Sequence, residues 1–163
     1  MKTSVRESVP RQWFRRVWNE LDAGAIDELF AADGVAHGLG GPPIVGPNGF
    51  REFHDAFTKS FSAIRIDVLH EVTEGDLVVL RCAANVTAAA TNRPAQFEGF
   101  AIFRLRGGQI AEAWNTWDFL GLLESMGAAP ADEAVKRGRV RNYRLGTNST
   151  SRKSPSGRYP TFG

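Results

Sequence analysis

Apolar side chains recur at helical spacing through the first third of the chain and at strand spacing through the middle. Behind Pro10, a residue the first helical turn tolerates, Trp13, Phe14, Val17, Trp18 and Leu21 fall on one stripe, and Gly24 is expected to stop the run. A short second helix, Ile26 to Phe30, leads into a strand at Val35 to Gly38 and a Gly/Pro loop from Leu39 to Pro47. Asn48 is placed to cap a third helix whose one side carries Phe50, Phe53, Ala56, Phe57 and Phe61.

From Ile64 the period shortens to that of strands: Ile64 to Val72, Leu77 to Ala89, Phe97 to Leu105 and Gln109 to Trp117. The connectors Glu74-Gly75-Asp76, Thr91-Asn92-Arg93-Pro94 and Arg106-Gly107-Gly108 suit hairpins. A closing helix over Leu120 to Met126 meets Gly127 where a left-handed cap is common. Helices first and a meander afterwards predict an α+β domain, with helices packed on one face of a curved antiparallel sheet. The result is a cone whose mouth admits a ligand.

Composition narrows the class. With 163 residues, 42% of them hydrophobic and 23% charged, the chain has one domain's worth of core and lies clear of the disordered class. No run of residues is long and apolar enough for a membrane span, and Met1 to Pro10 offers no apolar signal core, so a cytoplasmic protein without membrane contact is expected. The single cysteine, Cys82, lies in a strand-like run and is expected to be buried.

Charge divides the chain. Residues 1 to 135 carry 12 basic and 18 acidic side chains, whereas residues 136 to 163 carry 8 basic and none acidic. We therefore read 1–135 as the domain and 136–163 as a basic tail that lacks the apolar periodicity to fold. Without interleaved aromatics the tail is a weak signal for nucleic acid, which is not expected as a partner.

Several residues bear on chemistry. Asp118, between Trp117 and Phe119 at a strand-to-helix junction, would be partly stripped of water, the condition that strengthens a carboxylate as a base towards carbon; the same position also suits a helix cap. His37 could face the cone and hydrogen-bond a carbonyl or shuttle a proton, or sit at the rim on backbone carbonyls. Arg81 shares a strand face with Leu77, Val79 and Ala83; it could point inward to Asp118, or outward into a surface ion pair. Trp18, Phe53, Phe57, Trp114 and Trp117 would stack on a flat apolar ligand, or simply fill the core. His54 and His70 read as surface positions, and the scattered histidines offer no metal set.

The segments Ala31-Ala32-Asp33-Gly34-Val35-Ala36-His37-Gly38, Gly46-Pro47-Asn48-Gly49-Phe50-Arg51-Glu52-Phe53 and, above all, Trp114-Asn115-Thr116-Trp117-Asp118 before Leu122-Leu123 and Met126-Gly127 resemble SnoaL-like polyketide cyclases. That family belongs to the NTF2-like superfamily. The resemblance implies a cone-shaped α+β barrel, a homodimer formed through the outer sheet face, an apolar pocket for a polyketide-like or aromatic molecule, and no cofactor. It further implies that Asp118 is the base of an intramolecular aldol closure in secondary metabolism; on that reading we expect His37 to steady the oxyanion. Two features depart from the pattern: Phe61-Ser62-Ala63 stands where Phe-Pro-Asp is usual, and Thr87-Ala88-Ala89 where a strand histidine often lies. Steroid-isomerase-type sites need a tyrosine donor, but Tyr143 and Tyr159 are in the tail; epoxide-hydrolase-type sites need an Asp where Ala83 stands. The alternative to a cyclase is a non-catalytic ligand-binding or assembly module of the same fold, and divergent hydroxylation is a third option by analogy.

Overall fold

A computed structural model describes residues 7–127, so the boundary at residue 135 and the basic tail lie outside the described residues. Ser8 opens the first helix by accepting a bond from the Arg11 backbone N–H at 3.4 Å, and Pro10 occupies its first turn. This helix, α1 (Val9–Gln12), does not continue in α form. Trp13–Asn19 is wound as a π-helix, in which each hydrogen-bonded ring takes one more residue. Trp13, Phe14, Val17 and Trp18 are all buried by it. Gly24 is not the stop: the π segment ends at Asn19 and Leu21 takes the left-handed conformation (φ 53°). Gly24 instead begins α2 (Gly24–Leu29), where the Asp22 carboxylate accepts bonds from Gly24 N and Ala25 N. Arg16 ties the two helices by pairing with Asp22 and Glu28, and its hydrogen bonds hold both carboxyls below their ordinary range.

The next strand is longer than its sequence predicts. β1 runs Phe30–His37, taking in Ala-Ala-Asp-Gly, a stretch of poor strand formers that spans a register irregularity between Phe30 and Val35, both of which pair with the neighbouring strand. After the short β2 (Ile44–Val45) comes α3 (Gly46–Thr58), which starts ahead of Asn48 with Pro47 in its first turn and ends before Phe61. A hairpin meander follows: β3 (Phe61–Glu74), β4 (Leu77–Ala88), β5 (Pro94–Arg106) and β6 (Gln109–Trp117), with all neighbouring pairs antiparallel. The sequence-predicted meander is present: β3 and β5 are longer than predicted, β6 has the predicted bounds, and β4 ends one residue sooner. The turns fall at residues of positive φ: Gly75, Asn92, Gly107 and Gly108. α4 (Phe119–Ser125) closes the described chain.

Six strands form one sheet in the order β2-β1-β6-β5-β4-β3, curved and not closed. β1 and β6 are parallel, so the sheet is mixed, not wholly antiparallel. Alternation sorts its residues. On β4, Val78, Leu80, Cys82, Ala84 and Val86 are buried against the helices, and on β5 the same holds for Phe97, Gly99, Ala101 and Phe103. Among the described residues no helix is long and apolar enough to cross a membrane.

Candidate functional site

The helices and the concave sheet face enclose an apolar cavity. Trp13, Phe14 and Trp18 of the π segment and Phe50, Phe53 and Phe57 of α3 form its roof. Ala36, Ala84 and Ala113 give a floor of small side chains, around which stand Ile64, Ile66, Val86, Phe97, Phe103 and Ile110; Phe30, Leu39, Trp117 and Phe119 complete the apolar lining. The rings meet edge on: Trp18 and Phe57 lie 5.6 Å apart between centroids at 89°, Phe97 and Trp117 5.8 Å at 66°, and Phe14 and Trp117 6.1 Å at 73°. Gly99 makes the last placement feasible, since a Cβ there would lie 2.4 Å from the Trp117 ring.

The unfilled space is only about 40 Å³. That is room for a few waters, far below the roughly 300 Å³ at which drug-sized pockets begin. A larger guest therefore enters only if rings at the mouth turn aside. Leu39, Phe53, Phe57, Ile64, Asn115, Trp117 and Phe119 are the half-buried lining residues, and they mark that mouth.

One lining side chain is an amide. Asn115 alternates with Ala113 and Trp117 on the inward face of β6, and its Nδ2 donates to the backbone oxygen of His37 at 3.0 Å. Sequence reading missed it, although strand alternation carried the signal: residues 113, 115 and 117 share a face, which puts Trp114 on the other.

The sequence-predicted site residues separate into two groups. Trp18, Phe53, Phe57 and Trp117 line the cavity. Asp118, His37, Arg81 and Trp114 do not, and they do not converge. Asp118 follows inward-facing Trp117 and is turned outward; it is exposed and caps α4 by accepting a bond from Gly121 N at 2.9 Å. His37 follows inward-facing Ala36, so its imidazole lies on the outer face, with Nε2 3.1 Å from a Glu112 oxygen and its ring stacked on Trp114 at 6.0 Å and 11°. Arg81 lies between buried Leu80 and Cys82; it points outward and pairs with Glu98. Trp114 is also outward, with the Arg104 guanidinium 5.3 Å from its ring centre.

His54 corrects a further expectation. It is not a surface residue but 4% exposed, set edge on to Trp18, and bonded through Nε2 to the Val17 carbonyl at 2.9 Å. It thereby satisfies an oxygen near the end of the π segment. Cys82 is buried as expected, and burial pushes its thiol up to about 12. Among the described residues no group of three or more His, Cys, Asp or Glu side chains could hold a metal ion.

Helices folded over a curved, open, mixed sheet with an apolar cavity between them define an NTF2-like α+β fold. Residues 11–113 match the SnoaL-like domain family, and the chain belongs to that family. No curated protein matches the sequence. Among solved structures it is similar to IdmH of Streptomyces antibioticus, described as a candidate polyketide cyclase, at 25% identity and a TM-score of 0.66, covering 73% of this chain and 96% of that one. A SnoaL-like candidate polyketide cyclase from Jannaschia sp. CCS1 shares 17% identity with a TM-score of 0.68, covering 75% and 91%. AclR of Streptomyces galilaeus, described as a candidate hydroxylase, shares 21% identity with a TM-score of 0.61, covering 70% and 79%.

Proposed function

We propose that this protein holds a flat, largely apolar small molecule of the aromatic or polyketide-like class between its helices and its sheet. The observation that supports this best is the lining: aromatic and aliphatic throughout, with Asn115 its one non-aromatic polar side chain. Trp13, Trp18 and Trp117 all touch the cavity, so their fluorescence should report occupancy. Titration with flat bicyclic aromatics is expected to quench it saturably, and Ala84→Leu, which fills the floor, to abolish the quench while the protein stays folded. Unquenched emission across the panel, or quenching that survives the filled floor, would remove the proposal.

A second reading, the cyclase, keeps Asp118 as the base for proton abstraction. What favours it is the flanking of Asp118 by Trp117 and Phe119, both cavity residues, which sets its backbone beside the cavity. Against it stands the exposure of that carboxylate. Asn caps a helix about as well as Asp, so Asp118→Asn should leave the thermal midpoint nearly unmoved while abolishing turnover if this reading is right. Full turnover by Asp118→Asn would exclude it.

The outer sheet face supports a homodimer. The strand registers align Val72, Val79, Ile102, Trp114 and His37 in one row across five strands, and Val72 and Ile102 are exposed there at 65% and 37%.

A further inference from the structure

We infer that the ligand carries a hydroxyl-type hydrogen-bond donor on the edge of its ring system, and that Asn115 Oδ1 accepts it. This rests on the ligand-binding reading above and deepens it.

The orientation of the amide follows from its partner. Asn115 bonds the backbone oxygen of His37, and a carbonyl only accepts, so the nitrogen end must face it and the oxygen end is left for the cavity. No donor among the described residues reaches Oδ1. Nor is Oδ1 sealed in protein: the fully buried side-chain polar atom without a partner is His54 Nδ1, not this one. The remaining polar groups of the lining are indole N–H donors, so Oδ1 is the side-chain acceptor of the cavity.

The amide is also held in place. Gly38 has φ +78° and passes so close to Asn115 that a Cβ on it would lie 1.9 Å from the Asn115 carbonyl oxygen. Only glycine lets the end of β1 press against β6 and bring the His37 oxygen within reach of Nδ2. An acceptor fixed in this way discriminates. A ligand with a hydroxyl satisfies it, whereas one of the same shape without the hydroxyl dries it and leaves it unpaired.

The probe pair is 2-naphthol and 2-methoxynaphthalene, which share a ring body and differ in whether the oxygen can donate. Both are titrated into the full chain, followed by tryptophan quenching. 2-Naphthol is expected to bind about tenfold more tightly, the worth of one hydrogen bond. In Asn115→Leu, similar in size but without the acceptor, the two affinities should converge at that of the methyl ether. Equal affinities in the wild type, or a preference that persists in Asn115→Leu, would overturn the role of Asn115 while leaving the cavity a binding site. If neither probe binds, the ligand-binding reading fails and takes this inference with it. Thermal unfolding checks the variant, and should it not fold, the wild-type pair alone decides.

Discussion

Cys82 shows how far a single position can be reasoned from the chain. Its placement on an apolar strand predicts burial, and the structure buries it beneath the first helix with its thiol pushed up to about 12. The sign of the pH effect follows. At neutral pH both folded and unfolded chains keep the proton and the thiol contributes nothing; between the ordinary value of 9.0 and about 12 the unfolded chain releases it while the folded chain does not. Stability therefore falls with rising pH across that window. Cys82→Ala should make the alkaline decline shallower, as read by denaturant unfolding at a series of pH values, and an unchanged slope would contradict the burial. Arg81, one residue away, was not readable in the same way. Both faces of β4 are apolar, Leu77 and Val79 on one and Val78 and Leu80 on the other, so alternation groups the residues without saying which group faces the helices. β6 is more informative, because its two tryptophans are an odd number of residues apart and cannot share a face.

Among the elements, the hydrophobic stripes locate every helix of the described residues and the meander, but not how the first helix is wound or where β1 begins. Trp13, Phe14, Val17 and Trp18 fit an α stripe as well as a π one, so the stripe does not choose between them, and the segment also has tertiary partners at its far end. Asn19 is one of these. Its side-chain amide accepts from Ile66 N at 2.7 Å and donates to Ile66 O at 2.9 Å, standing in for the peptide group of a further strand along the edge of β3. Asn19→Ala removes both bonds and should cost about 1–3 kcal/mol. Hydrogen exchange at the Ile66 amide should quicken with it. Unchanged protection there would mean that the helix is held by its aromatic contacts alone.

At the level of the molecule, the fold assignment rested on element order and motif, and both reach the structure intact. The candidate site fared differently: half of its predicted members lie on the outer surface, because a motif match reports which residues are present and not which way a strand turns them. The outward set has its own coherence, however. Trp114 and His37 belong to the apolar row that supports a dimer, and charge flanks it at Arg81, Glu98, Arg104 and Glu112. Ile102→Glu, at the middle of that row, is expected to shift sedimentation from dimer to monomer without loss of secondary structure. A wild-type chain that sediments as a monomer would end the dimer proposal.

The parallel pairing of β1 with β6 has a consequence for how the chain comes together. Residues 30–37 lie inside the sheet, yet the neighbour that secures them is residues 109–117, at the opposite end of the described chain. Hairpins between successive strands can zip early, whereas this pairing must wait until the whole intervening length has emerged and looped back. During synthesis the first long strand therefore has only the two-residue β2 to pair with, and the aromatic segments before it have no finished wall to lean on until the last strand arrives.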